Sequence, residues 1–305
     1  MKRTTLRRAG LSVAAVTLLT GVTACGGSGG SEGSDGSGGF GRGGDDASAR
    51  LSPVAALRTA EKSTDGADSA KVESATTMGS VMSMTADGAL GWGDGLTGTL
   101  TITYTGGTMA DTMRQMGTTS MEARYLPDAY YARMGDTFAR QAGGRHWIRY
   151  AYDDLESLGG SSGAYLKDQM QNTTPNQSVK LLLACGDVRE VGEEKVRGQQ
   201  ATHYSGTVDV ADLAQKNSGL DRSQLDDLKK TLEQAGVTTE TVDIWVDGRD
   251  LLVKKVEKGQ TTAGAYTQTA YYTDYGTEVS AEVPPASDTA DFSQLVKQQG
   301  ASAGS

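Results

Sequence analysis

Few side chains in this sequence have the type and spacing that chemistry requires. Gly159-Gly160-Ser161-Ser162-Gly163 fits the G-x-S-x-G pattern of a nucleophilic serine, and Asp187 and His203 follow in hydrolase order. That pattern works only where a strand runs into the serine and a helix leaves it. Here Asp153-Asp154-Leu155-Glu156-Ser157-Leu158 comes first and reads as a short helix, and Gly26–Gly30 repeats the pattern in a stretch where composition alone supplies it. The pentapeptide therefore reads as a flexible joint. There are two histidines, His146 and His203, and no HExxH, CxxC, EF-hand or Gly-Lys-Ser/Thr phosphate loop. The expectation is a protein that is not an enzyme, with no catalytic residue, no cofactor and no metal ligand assigned.

Eight of the ten methionines fall between Met78 and Met134, and Met109, Met113 and Met116 have helical spacing. Thioethers suit Cu(I), but such a site adds His or Cys, and none is near in sequence. The remaining readings share one property of methionine, its adaptable unbranched chain. It packs a plain core or lines a pocket for a flexible apolar ligand, and the sequence leaves both open. Tyrosines outnumber phenylalanines twelve to three. A ring with a polar tip suits a cavity rim or the outer face of a sheet, and Trp245, flanked by Asp243 and Asp247, has the same two readings. Cys185 follows Leu181-Leu182-Leu183-Ala184 and reads as a small buried hydrophobe.

The other cysteine is placed differently. Lys2, Arg3, Arg7 and Arg8 make a charged head, and Leu11 to Leu19 is an apolar stretch too short to span a bilayer. Val22-Thr23-Ala24-Cys25 follows and resembles the lipobox of bacterial lipoproteins. The resemblance implies cleavage of a signal peptide over residues 1–24 and acylation of Cys25 by diacylglycerol and fatty acyl chains such as palmitate. Two chains supply the paired anchor that stable attachment needs. Residues 26–50 are rich in glycine and serine with almost no apolar side chain, so burial there cannot offset the entropy of ordering. Residues 25–50 are thus expected to be a lipidated cysteine and a disordered linker of roughly 25–30 Å mean reach. The expected location is the extracytoplasmic face of the cell membrane.

The whole chain of 305 residues carries a net charge of −9, and losing the basic head makes the rest more acidic. Such a chain is repelled by nucleic acid and by anionic headgroups, so neither is expected as a partner. Cys185 has no cysteine to pair with inside the body.

The body opens at Ser52-Pro53, an N-cap with proline at the first helical position, and Val54, Leu57 and Ala60/Glu61 continue a helix. The period then becomes two. In Gly98–Thr105, Leu100, Ile102 and Tyr104 face one way and threonines the other, a half-buried antiparallel strand. β character runs through Lys71–Met84, Met121–Met134, His146–Tyr150, Thr202–Val210, Thr241–Val246, Leu251–Lys258 and Ala265–Tyr275, with a hairpin signal at Asp247-Gly248. Asp221–Gln224 has the form of a capping box for a helix marked by Leu225, Leu228 and Leu232 and ended by Gly236. Residues 153–184 read as two or three short helices, and Phe292, Leu295 and Val296 mark a last one. The pattern is α+β with a mostly antiparallel sheet.

Order and spacing of several short signals then carry a resemblance. Val196-Arg197-Gly198-Gln199-Gln200-Ala201-Thr202-His203-Tyr204-Ser205-Gly206-Thr207-Val208-Asp209 leads to Val242-Asp243-Ile244-Trp245-Val246-Asp247 and Leu252-Val253-Lys254-Lys255. Tyr272-Thr273-Asp274-Tyr275-Gly276 through Pro284-Pro285 closes the series. This resembles the LppX/LprG-type actinobacterial lipoproteins, related in fold to LolA and LolB, over roughly residues 52–296. The resemblance implies a curved antiparallel β half-barrel with helices covering the concave face, so residues 51–300 would form a LolA-like ligand-binding domain. It implies a lipid or other hydrophobic small molecule bound between sheet and helices, and a role as an envelope lipid carrier. It carries over no catalytic residue, and ligand-binding residues stay unassigned. His203-Tyr204 is read as structural, with His203 bonded within the sheet. The alternative is a surface interaction or regulatory lipoprotein of the same fold with a filled core, acting through a protein partner.

Overall fold

A computed structural model of the chain describes residues 52–303, apart from 156–162, 164–166, 168–169, 172–173, 186, 213–221, 235 and 262. The strands are β1 (Ser69–Met78), β2 (Met82–Gly91), β3 (Thr97–Gly106), β4 (Ser120–Tyr125), β5 (Ala129–Arg133), β6 (Trp147–Ala151), β7 (Arg189–Val196), β8 (Gln199–Asp209), β9 (Thr239–Asp247), β10 (Leu252–Thr261), β11 (Gly264–Thr273) and β12 (Thr289–Asp291). All twelve form one open, curved sheet in the order β12-β6-β5-β4-β3-β2-β1-β11-β10-β9-β8-β7. Every neighbouring pair is antiparallel except β12 with β6. The fold is α+β with a mostly antiparallel sheet, as the alternating runs predict, and the sheet has the curved half-barrel form that the resemblance implies. Two of those runs conceal hairpins: Lys71–Met84 turns at Gly79, and Met121–Met134 turns between β4 and β5.

The curvature has identifiable causes. Gly88 on β2 and Gly98 on β3 take φ of +157° and +139°, and a Cβ on either would sit 2.1–2.2 Å from the neighbouring strand's carbonyl oxygen. Only glycine admits that approach, and such positions let a sheet coil. Register shifts at Ser83/Met84 and Leu252/Lys254 add local twist.

Helices α1 (Pro53–Asp65) and α4 (Pro175–Ala184) cover the concave face of β8, β9 and β10. Ser52 Oγ accepts from the Ala55 N–H at 3.3 Å and Pro53 opens α1, as the sequence predicts. Leu57, Leu182, Ile244, Leu252 and Val242 are fully buried between these helices and the sheet. Burying each such side chain stabilises by about 1.5–3 kcal/mol. Cys185 ends α4, fully buried, its thiol donating to the Leu181 carbonyl at 3.4 Å. Helix α2 (Gly107–Gln115) carries the helically spaced methionines, with Met113 buried. Helix α3 (Asp136–Gln141) lies between β5 and β6. Helix α5 (Arg222–Gln234) buries Leu225 and Leu232, and Gly236 at φ +67° ends it; Asp221 of the expected capping box is outside the described residues.

Between β11 and β6 the chain crosses the sheet as a strap. Ser69 Oγ donates to Thr277 O at 2.6 Å, Arg124 to Glu282 O at 2.7 Å, and Asp288 accepts from the His146 N–H at 2.8 Å. Helix α6 (Phe292–Ala303) then returns to the concave side, where Phe292 lies 4.7 Å from Tyr150, ring to ring.

Candidate functional site

The closely packed helix–sheet pairs among the described residues put α1 on β10, α4 on β8–β10, α2 on β2 and β3 and α6 on β6 and β12, and leave β4 and β5 without one. The concave face there is built by cross-strand register. One row runs Leu90, Gly98, Tyr125, Tyr130, Tyr150 across β2 to β6. The next runs Gly88, Leu100, Ala123, Ala132, Ile148. Beyond it Met84 pairs with Tyr104, and Ile102 with Met121. The middle row thus sets Gly88, Ala123 and Ala132 beside Leu100 and Ile148, with tyrosines on one flank and methionines on the other. Met84, Met121, Met134 and Met170 are half-buried against this core.

The tyrosines form a connected group. Tyr125 and Tyr130 meet edge-on at 5.1 Å, Tyr130 and Tyr150 at 5.8 Å, and Tyr152 follows at the end of β6. Burial pushes the Tyr125 and Tyr150 hydroxyls up to about 12, with neighbouring tyrosines adding to it. The Tyr130 and Tyr152 hydroxyls are raised by the same causes. All five, with Tyr104, are therefore protonated donors at any physiological pH. The Tyr152 hydroxyl is buried and has no hydrogen-bond partner among the described residues. An unpaired buried hydroxyl is costly, which makes this one notable. Period-two alternation sends Arg124, Arg133 and Arg149 of these strands to the opposite face: Arg124 lies 4.6 Å over Trp147, and Arg149 pairs with Asp128 and Asp291.

The other half of the concave face is closed and includes a buried charged group. Lys255 Nζ lies 3.1 Å from Glu257 Oε2, and Ser178 Oγ of α4 donates to Glu257 Oε1 at 2.5 Å. Glu240 is 3% exposed, and burial, then the Glu257 carboxylate, pushes its carboxyl up to about 8.

No family model matches the chain. A 31.2 kDa protein of the rplA-rplJ intergenic region of Streptomyces griseus is 60% identical over 257 residues, 84% of each chain. The Streptomyces coelicolor A3(2) protein named "Putative lipoprotein SCO4650" is 60% identical over 255 residues, 83% of this chain and 80% of that one. The chain belongs to their family. Among solved structures it is similar to LppX of Mycobacterium tuberculosis, at TM-score 0.44 and 14% identity over 75% of this chain and 98% of that one. It is likewise similar to LprF of Mycobacterium bovis, at TM-score 0.47 and 14% identity over 77% and 97%.

In this family member the residues singled out by sequence fall as follows. Cys25 and Ser161 lie outside the described residues. His203 Nε2 is 2.9 Å from Asp243 Oδ1 across β8 and β9, so the imidazole is bonded within the sheet. Its ring stacks on Trp245 at 4.2 Å, and Lys254 Nζ caps the indole at 3.7 Å. Trp245 is 5% exposed, buried within an outer-face belt that also includes Tyr271 under the Arg197 guanidinium. Among the described residues no group of three or more His, Cys, Asp or Glu is placed to hold a metal ion, and no helix is long and apolar enough to cross a membrane. An open pocket of about 190 Å³ between α3 and α6 is lined by Gln141, Arg145, Gln294 and Asp291, whose carboxylate is already occupied by the N–H groups of Ser293 and Gln294. Sequence reasoning found the tyrosine excess but not the row, because Tyr125, Tyr130 and Tyr150 come together only through strand register.

Proposed function

We propose that this protein is a lipoprotein held at the extracytoplasmic face of the cell membrane through acylated Cys25, and that its concave face binds a lipid or other hydrophobic ligand for carriage in the envelope. The observation that carries this reading is the division of the concave face. Helices α1 and α4 cover β8–β10, α2 packs on β2 and β3 and α6 on β6 and β12, whereas the tyrosines, methionines and alanines over β4 and β5 have no closely packed helix among the described residues. An apolar concave surface with a few placed polar groups is the general form of a small-molecule site. Residues 1–24 would be the signal peptide, 25–50 the tether and 51–300 the ligand-binding domain. In this reading Cys25→Ala releases the protein to the medium, and retention of that variant in the membrane fraction would overturn the anchor.

The test of binding is native mass spectrometry of residues 51–305 purified from the native host, followed by solvent extraction. A reproducible bound species of defined mass is expected. A clean apo mass, with no uptake of a fluorescent fatty-acyl probe, would leave the second reading: an interaction lipoprotein with a filled core. The complete burial of Leu57, Leu182, Ile244 and Leu252 favours that reading for one half of the sheet.

A further inference from the structure

Helix α4 meets the sheet through two kinds of contact. Its C-terminal half is apolar: Leu182, Leu183 and Ala184 are fully buried, and Leu182 and Cys185 close on Gly206 of β8. Its N-terminal half is seated on polar groups. Ser178, fully buried, donates to Glu257 Oε1 of β10 at 2.5 Å. Asn176, also buried, donates from Nδ2 to Asp65 Oδ1 of α1 at 2.7 Å, while its own carbonyl oxygen is buried without a partner among the described residues. Such a seat is less stable than packed hydrophobic side chains, and the best-attested use of buried polar groups is to set a position or to switch one.

The sheet beneath Ser178 holds more negative charge than positive. Glu240 of β9 pairs with Gly259, two residues along β10 from Glu257, so both carboxyls share the concave face. Lys255, the one cation of the group among the described residues, is already 3.1 Å from Glu257. Tyr266 and Tyr272 of β11 complete the set of titratable neighbours, Tyr266 bonding to Glu240. Two buried carboxyls and one ammonium balance only while one carboxyl keeps its proton. Burial and the Glu257 carboxylate leave that proton on Glu240. If Glu240 ionises in place, α4 covers a net negative charge out of reach of water. If α4 lifts, water reaches both carboxylates and the unpaired Asn176 carbonyl.

We propose that Glu240, Glu257 and Lys255 form a proton-operated latch on the N-terminal half of α4. With the proton on Glu240 the helix is seated through Ser178; loss of that proton to solvent frees the helix and uncovers part of the apolar face of β8–β10. On the extracytoplasmic reading above, the latch meets the pH of the surroundings and not that of the cytoplasm. The sign follows from linkage. Seated, Glu240 titrates at about 8; freed into water, it returns to its ordinary 4.5. The freed form binds fewer protons between those values, so its population rises with pH across them, by up to about tenfold per unit, and levels off above 8.

The experiment is amide hydrogen exchange of residues 51–305, read by NMR at pH 6, 7 and 8 and expressed as protection relative to the intrinsic rate at each pH. A freed helix of 10 residues is unstable alone in water, so the Val179–Leu182 amides exchange whenever this part of α4 leaves the sheet. In the wild type their protection is expected to lie at least tenfold below that of the β9 amides, the mark of a local opening, and to fall at least tenfold from pH 6 to pH 8. Glu240→Gln keeps the shape and cannot ionise, and is expected to hold its pH 6 protection throughout. Ser178→Ala cuts the tie and is expected to lower α4 protection three- to tenfold at pH 6. Protection of α4 equal to that of β9 would mean that the helix leaves only when the whole sheet unfolds. A loss with pH as steep in Glu240→Gln as in the wild type, or no loss in either, would mean that opening releases no proton from Glu240, and unchanged protection in Ser178→Ala would mean that Ser178 is not the tie. Each of these overturns the latch and leaves the ligand-binding reading to its own test by native mass spectrometry.

Discussion

At the scale of single residues, the most consequential side chain for stability is Glu240. It sits on β9 facing Glu257 and Lys255 of β10 and Tyr266 of β11, beneath α4. Its carboxyl, ordinarily at 4.5, is pushed up to about 8 by burial and by Glu257, against a smaller pull from Tyr266 and Lys255. A carboxyl whose pKa rises on folding takes up a proton as the chain folds. Its contribution to stability is therefore complete below about pH 4.5 and is lost as pH rises through 8. Glu240→Gln keeps the shape and removes the titration. The expected result is that wild-type stability, from urea unfolding, falls between pH 5 and pH 8.5 while Glu240→Gln is flatter and is the more stable of the two above pH 7. Parallel curves for the two proteins would show that Glu240 is not neutral in the folded state. Nothing in the sequence singled out this residue. The strand was read from Thr241 and so left Glu240 outside it, whereas it begins at Thr239, where Glu240 pairs with Gly259 and is buried.

At the scale of elements, α4 rests on β8 through a glycine. A Cβ on Gly206 would come 2.9 Å from Leu182 Cδ1 and 3.0–3.1 Å from the Cys185 side chain. These neighbours are fully buried and have no free space to enter, and overpacking of a close-packed core costs about 1–3 kcal/mol. Gly206→Ala is expected to lower Tm by several degrees, and Gly206→Val by more; a Gly206→Ala protein as stable as wild type would mean that α4 shifts freely. How far such elements could be read from sequence follows from what faces them. The start of α1, the turn at Asp247 and the stop at Gly236 were legible because each depends on local chemistry: a capping hydroxyl, an Asp that accepts from the Arg249 and Leu251 N–H groups, a glycine with positive φ. The hairpin between β1 and β2 was not, because Met78, Met82 and Met84 keep one period-two phase through its turn. The same holds for β7. Arg189–Val196 is an edge strand exposed along most of its length, so no buried face imprints a period on it. The tyrosine row lay beyond reach for a third reason: its members are spread over β4, β5 and β6 and meet only through register.

At the scale of the molecule, an open sheet has two edges, and each is closed differently. The β7 edge carries Glu190, Glu193 and Glu194 and a register break between Glu190 and Gly192, the charged and bulged form that discourages pairing with another chain. The β6 edge carries one charge, Arg149, which is paired with Asp128 and Asp291. Its outer face holds Trp147, beside Tyr131 of β5, its inner face Ile148 and Tyr150, and it is covered instead by β12, the strap and α6. The clasp is small. Asp288 accepts from the backbone and the imidazole of His146, both at 2.8 Å, and the His146 side chain holds the Asp288 carboxyl below its usual range. A depressed carboxyl stabilises the fold above its unfolded pKa and loses that contribution as pH falls through the folded one, so the clasp weakens below about pH 4. Ending the chain at Pro284 removes β12 and α6 together. The truncated protein is expected to keep the helices over β8–β10, to expose the β6 edge and Tyr150, and to self-associate through that edge, seen as a dimer or larger species in size-exclusion chromatography with light scattering. Asp288→Ala is the milder form, with a lower Tm and the monomer retained at neutral pH. A truncated protein that stays monomeric at high concentration would show that β6 is protected without its cover, and that the C-terminal segment has some role other than closing the sheet.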